Sequence, residues 1–254
     1  MPYGPGFGEG GESGMGAVAD RPGAADAAIG VLMLETRFPR LPGDIGHPGS
    51  FDFPVLYATV PGADPGTAVR GDPAGLLPDF VAAGRALVGQ GAVGLTTSCG
   101  FLAPFQTALA EGCGVPVAAS SLMQVPLVQR LLPAGRRVGV LTADAGALGP
   151  AHLAAAGAPA DIPVFGPGRD SHFSAVYVGN RPTLDPDRAR ADLCAAADRL
   201  CADFSDVGAI VLECTNMAPW AADIARRTGR PVYDMRHLLR WFRAGLAAGA
   251  DAES

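Results

Sequence analysis

The chain has 254 residues, a net charge of −6 and a hydrophobic fraction of 48%. That acidic balance argues against a nucleic acid or an anionic membrane as partner, because both demand a basic footprint, and no apolar run approaches the roughly 18 residues of a membrane span. All 19 basic residues are arginine, which excludes both a Schiff-base lysine for pyridoxal phosphate and a Walker A loop.

Residues 1–25 are rich in Gly and lack periodicity, so they read as a disordered tail. The formal dinucleotide fingerprint at Gly6–Gly11 has no strand before it and no helix pattern after it, and is discarded. The start of the chain shows no basic stretch followed by an apolar run, so no secretory signal is expected. The first strand is predicted at Ala28–Leu34, followed by a loop over Glu35–Asp52 and a second strand at Phe53–Val60. Phe80, Ala83 and Leu87 share one face of a predicted helix over Leu77–Val88. A buried strand then runs to Thr97-Ser98-Cys99-Gly100. A helix over Pro104–Glu111, a strand over Val115–Ala119 and a helix over Met123–Leu132 follow. The second half opens at Arg137–Thr142, with a helix over Ala147–Ala156 and a short strand at Ile162–Phe165. Ser171–Ser174, carrying His172, reads as a loop. Asp185 precedes Pro186 as the cap of a long Ala-rich helix to Phe204. The strand ending at Cys214, a helix over Pro219–Thr228, a strand over Pro231–Tyr233 and a helix over His237–Ala247 complete the chain.

Alternating strands and helices predict an α/β fold with parallel sheets covered on both faces. Cys99 and Cys214 lie 115 positions apart, and Ala103-Pro104, Gly114 and Pro116-Val117 recur at that same offset as Ala218-Pro219, Gly229 and Pro231-Val232. Such a repeat predicts two pseudo-symmetric domains, each a mostly parallel sheet with helices on both faces. The expected division is 26–123 plus 230–250 for the first domain and 124–229 for the second. Each domain would present one thiol at the carboxyl end of a strand, where ligands of such sheets bind.

Two opposed thiols can move a proton on and off a carbon acid from opposite faces. A thiol is suited to this because its pKa near 8.5 falls at a helix N-terminus, and each cysteine precedes a predicted helix. The N–H groups of Gly100-Phe101 and Thr215-Asn216 are candidates for holding a substrate carboxylate. Arg37 is a second candidate for that carboxylate, and Ser120 a candidate lining residue. A single cysteine is more often a buried small hydrophobe, and Cys113, Cys194 and Cys201 are read that way. Repeat symmetry and strand-end placement set Cys99 and Cys214 apart. His47, His152 and His237 have no Cys or His at metal-ligand spacing, so no metal is expected.

Thr97-Ser98-Cys99-Gly100-Phe101 and Leu212-Glu213-Cys214-Thr215-Asn216-Met217 resemble the aspartate/glutamate racemase superfamily, over about Ala28 to Leu246. Its members include hydantoin racemases, arylmalonate decarboxylases and maleate isomerases. The resemblance implies two catalytic cysteines, Cys99 and Cys214, in a cleft between the domains and no cofactor. The pattern departs from glutamate racemases: Gly100-Phe101 replace Asn-Thr, Asn216 replaces His, and Glu35-Thr36 stand for Asp-Ser. A glutamate substrate is therefore not implied.

The reading is a cofactor-independent racemase or epimerase of a small carboxylate, with Thr97, Ser98, Gly100, Phe101, Thr215, Asn216, Arg37 and Ser120 around the substrate. Within the family the alternatives are a single-cysteine decarboxylase, against which the retained pair of thiols argues, and a maleate-type cis–trans isomerase. Outside it stands a non-catalytic small-molecule binding protein. Five cysteines, an odd number, fit reduced thiols in a cytoplasm better than a disulfide framework. A homodimer is left open.

Overall fold

The computed structural model describes residues 27–248; the tail expected over 1–25 lies outside them. Eight strands form two parallel four-stranded sheets. In the first, β1 (Ala28–Met33), β2 (Val55–Thr59), β3 (Ala92–Thr97) and β4 (Val117–Ala118) are ordered β2-β1-β3-β4. In the second, β5 (Arg137–Leu141), β6 (Val164–Phe165), β7 (Val207–Leu212) and β8 (Val232–Tyr233) are ordered β6-β5-β7-β8. The α/β class and the pair of parallel sheets are as the sequence predicts.

The offset of 115 survives in three dimensions. β3, α3 (Gln106–Cys113) and β4 map onto β7, α8 (Ala221–Thr228) and β8 with every boundary shifted by that number. Both helices end on a left-handed glycine, Gly114 at φ 71° and Gly229 at φ 64°, a conformation that glycine adopts without a Cβ clash. Each cysteine is followed not directly by an α-helix but by a six-residue 3-10 turn, Gly100–Phe105 or Thr215–Trp220. Pro104 and Pro219 sit inside these turns, and a proline lacks the N–H that a regular α-helix requires. The α-helix therefore starts two residues after each proline, at Gln106 and Ala221, rather than at Pro104 and Pro219 as predicted.

Around the first sheet, α2 (Leu77–Gly89) and α3 bury Phe80, Leu87 and Leu109 against Leu32 and Leu95. On its other face α9 (Met235–Ala247) buries Met235, Leu238 and Leu239 against Ile29, Val31 and Met33. Around the second sheet, α4 (Val125–Leu131) supplies Val125 and Val128, while α7 (Pro186–Asp203) supplies Leu193, Ala196, Ala197 and Leu200. Asp185 caps α7 by accepting from the N–H groups of Asp187 and Arg188, as predicted. α9 thus returns to the first sheet, but the expected division at residue 230 is too early. β8 pairs with β7, so the return begins after Tyr233.

Short helices account for most of what the sequence reading missed. α1 (Pro65–Arg70), capped by Asp64, lies in a stretch assigned no element. α5 (Pro150–Ala155) is shorter than the helix predicted there. α6 (His172–Tyr177) begins where a loop was expected, with Ser171 capping the Ser174 N–H and His172 accepting from the Asp185 N–H at 2.8 Å.

Candidate active site

The carboxyl ends of β3 and β7 bring Cys99 and Cys214 to one buried pocket between the sheets. Ser98, Gly100 and Phe101 line it beside Cys99, and Glu213 and Asn216 beside Cys214. Thr36, Phe38 and Arg40 enter from the loop after β1, Ala143 from the loop after β5, and Tyr177 and Val178 from the end of α6. Both thiols are free and partly exposed. The free interior volume is about 20 Å³, room for one water. A larger recess of about 530 Å³, shared through Val69 and Phe101, lies next to it and is lined by Arg70, His152 and Arg169.

The remaining predicted residues are supports. The Thr97 hydroxyl bridges the carbonyls of Cys99 at 2.8 Å and Ala119 at 2.7 Å, and so sets the turn that presents the first thiol. Thr215 donates to the Ser98 carbonyl at 2.7 Å. Ser120 is fully buried and caps the turn at Ser121–Gln124 instead of lining the cleft. Arg37 has an exposed side chain and is fastened by its N–H to Asn180 Oδ1 at 2.7 Å. The arginine in the pocket is Arg40, which donates to Asp44 at 2.8 Å and to Thr36 at 3.1 Å, with its guanidinium 4.6 Å from the centre of the Phe38 ring. Asp44, fully buried, accepts from Asn216 Nδ2 at 2.6 Å, and the Cys214 thiol donates to Asn216 Oδ1 at 3.6 Å. Arg40, Asp44, Asn216 and Cys214 thus form one chain of contacts. Gly100 is small because a Cβ there would overlap the side chain and carbonyl oxygen of Glu213. The constraint is the close approach of the two halves.

The electrostatics also differ from expectation. Burial pushes the Cys99 thiol up to about 12; the Glu213 charge adds to the shift, and the Phe101 N–H and Arg40 oppose it. Burial raises Cys214 well above an ordinary thiol, with Glu213, Cys99 and Asp44 adding and the Asn216 N–H opposing. The N–H groups after each cysteine therefore serve the sulfurs, and they do not outweigh burial beside a carboxylate. Glu213 itself is raised from 4.5 to about 7 by burial, against hydrogen bonds from Thr142 and the Ala143 N–H. Its Oε2 accepts from Thr142 at 2.7 Å, while its Oε1 is buried without a partner. The Tyr177 hydroxyl is buried and also unpartnered, and burial raises its pKa. Tyr177 meets the edge of Phe38 at 4.8 Å and packs on Phe173 at 4.6 Å, making an aromatic wall.

Glu213, Arg40, Asp44 and Tyr177 were not singled out from the sequence. Glu213 carried the one available signal, a charged residue ending a run of apolar strand residues. Among the described residues no cluster of His, Cys, Asp and Glu is placed to hold a metal ion, and no helix is long and apolar enough to cross a membrane.

No family model matches the chain. Among solved structures, arylmalonate decarboxylase superposes with a TM-score of 0.60 at 20% identity, over 87% of this chain and 94% of that one. Allantoin racemase from Klebsiella pneumoniae gives 0.52 at 18% identity, over 87% and 88%. The fold is thus that of the aspartate/glutamate racemase superfamily, as the cysteine motifs implied. Sequence relatives narrow the assignment. A dimethylsulfoniopropionate lyase of Durusdinium sp. clade D is 31% identical over 221 residues, 84% of this chain and 73% of the relative. Dimethylsulfoniopropionate lyase 7 of Emiliania huxleyi is 31% identical over 230 residues, 86% and 67% of the two chains. These relatives correct the expected racemase or epimerase activity, and with it the isomerase class: they are named as lyases. By this kinship the chain belongs to the dimethylsulfoniopropionate lyase family.

Proposed function

We propose that the protein cleaves dimethylsulfoniopropionate, or a close sulfonium carboxylate, by β-elimination. The name of the relatives' substrate describes a propionate with a dimethylsulfonium group on C3. A thiolate removes a proton from C2, the C2–H electron pair becomes the C2=C3 double bond, and the C3–S pair leaves on sulfur. Acrylate and dimethyl sulfide result, and one proton remains to be released. Elimination requires one base, whereas inversion requires one on each face, which is how a two-thiol scaffold accommodates a lyase.

The observation in the site that supports this reading is the pairing of aromatic walls with net negative charge. Phe38, Phe101 and Tyr177 line the pocket with Arg40 and Glu213, and Asp44 lies behind Arg40. A sulfonium is a poorly hydrated cation, and aromatic faces favour such a group by about 0.5–2 kcal/mol. Arg40 is the one cation of the pocket wall and is suited to the substrate carboxylate, whose charge otherwise opposes removal of the neighbouring proton. Cys99 is assigned as base, because Arg40 favours its thiolate and Cys214 carries the heavier load of negative neighbours. The interior must widen to admit a substrate of about eight non-hydrogen atoms, since it now holds roughly one water. The larger recess beyond Val69 and Phe101 is the natural entrance. Free thiols suit a reducing, cytoplasmic compartment.

The test is headspace detection of dimethyl sulfide from purified protein supplied with dimethylsulfoniopropionate. Steady, saturable release supports the reading. Absence of release from folded protein across a wide substrate range contradicts it.

A further inference from the structure

The recess of about 530 Å³ beside the catalytic pocket carries charged groups that the elimination leaves unused. Arg70 ends α1 in the first half, Arg169 lies in the loop after β6, and His152 lies on α5; all three line the recess. Both guanidiniums rest Nε on one oxygen, Asp144 Oδ2, at 2.7 and 3.2 Å. Asp144 is buried, and its other oxygen takes the Gly146 N–H at 3.1 Å, so it acts as a fixed post. Neither guanidinium has another hydrogen bond among the described residues, which leaves the Nη groups of each for a ligand. Such a fork matches the two oxygens of a carboxylate. His152 Nδ1 accepts from the Gly149 N–H at 3.2 Å, so the neutral ring carries its proton on Nε2, a further donor.

Two arginines against one aspartate leave a positive charge. Asp72 is the other acid on this wall; it is exposed, and its Oδ1 takes the Ala74 N–H at 2.9 Å. Val69, Phe101 and Phe105 give the same recess an apolar side. A charged fork beside apolar side chains suits an organic acid better than an inorganic anion. We propose that the recess is a carboxylate-binding site in its own right: the Arg70 and Arg169 forks hold the two oxygens of a small organic acid, the His152 Nε2–H donates to it, and the carbon tail lies against Val69, Phe101 and Phe105.

The site is one neck away from the thiols, because Val69 and Phe101 wall both spaces. The catalytic pocket, with about 20 Å³ free, has no room for an organic acid as it stands, and the recess has. Arg70 and Val69 are consecutive on α1, so an acid held by Arg70 bears on the helix that closes the pocket. On the lyase reading the acid is the substrate, caught at the entrance before the pocket widens. That identity rests on the lyase reading; the binding of a carboxylate does not.

The experiment titrates sodium propionate into the full chain through the millimolar range and follows the His152 ring proton by NMR, assigned with His152→Gln. The His152 signal is expected to shift and saturate. Sodium chloride at equal ionic strength and neutral propionamide should leave it in place. Arg169→Gln should weaken the binding about tenfold, the loss of one charge-assisted fork. That variant leaves Asp144 its bond to Arg70, and unshifted signals from His47, His172 and His237 verify that it is folded. A native His152 signal that does not saturate with propionate overturns the proposal whether or not the variant folds. So does an equal response to propionamide or sodium chloride, or tighter binding of inorganic phosphate than of propionate. Unchanged affinity in Arg169→Gln overturns it as well, by placing the acid elsewhere. Propionate has no sulfonium to lose, so failure here and failure of the lyase reading are separable.

Discussion

The Thr215 hydroxyl donates to the Ser98 carbonyl at 2.7 Å, joining the residue after one thiol to the residue before the other. The bond crosses from the second half of the chain to the first and sets the spacing of the two sulfurs. Thr215→Val keeps the shape but orphans a buried carbonyl, a loss of about 1–3 kcal/mol. Denaturant midpoints should fall accordingly, and kcat for dimethyl sulfide release should fall with them even at temperatures where the variant is fully folded. A variant with lowered stability and native kcat would show that the bond holds the fold without setting the site.

Serine replacements separate the roles of the thiols. Cys99→Ser should lose roughly 10²–10⁴ in kcat, the usual worth of a general base. Cys214→Ser should lose less, since a hydroxyl can still donate to Asn216. Dimethyl sulfide release measured at equal protein concentration orders the two, and the reverse order moves the base to Cys214. Cys113→Ser, Cys194→Ser and Cys201→Ser should leave release near native.

Arg40 and Arg37 make a matched pair. Arg40→Met leaves Asp44 buried with its negative charge uncompensated, which costs roughly 3–5 kcal/mol, and it removes the group assigned to the substrate carboxylate. Stability should drop and KM should rise. Arg37→Ala should change neither, because only its backbone N–H is fastened, to Asn180. Thermal melts and substrate titrations of both variants are the check.

Much of this was legible in the chain. The 115-residue offset located both thiols, both strand ends and the left-handed glycines, because a repeat constrains many residues at once. It also contained the correction to the domain boundary: Pro231-Val232 is the image of Pro116-Val117, and β8 pairs with β7 as β4 pairs with β3. What was not legible depends on tertiary approach. Arg40 and Arg37 sit three residues apart in one loop, and nothing local says which turns inward. Tyr177 reaches the pocket from a six-residue helix too short to show a period. The direction of the thiol shifts hinged first on the burial of the sulfurs themselves and then on the Glu213 charge beside them. The reaction class was beyond the motifs, because the cysteines specify proton transfer and say nothing of a leaving group.

Glu213 also marks the stability curve. Unfolded, its carboxyl titrates near 4.5; folded, near 7. Between these values the native state keeps a proton that the unfolded chain has released, so this group's contribution is full below pH 4.5 and is lost as pH rises through 7. Glu213→Gln removes that slope. The stability of the variant relative to native should therefore grow from acid to pH 8, by up to about 3 kcal/mol. Urea unfolding of both proteins at pH 5 and pH 8 measures it, and a difference that is constant with pH would refute the assignment.

The most direct test of thiolate-driven elimination is product stoichiometry in the native protein and in the variant carrying both Cys99→Ser and Cys214→Ser. The account predicts acrylate, dimethyl sulfide and protons in equal amounts from the native protein, and none above background from the doubly substituted one. Dimethyl sulfide released without acrylate, or release that survives loss of both thiols, would contradict it.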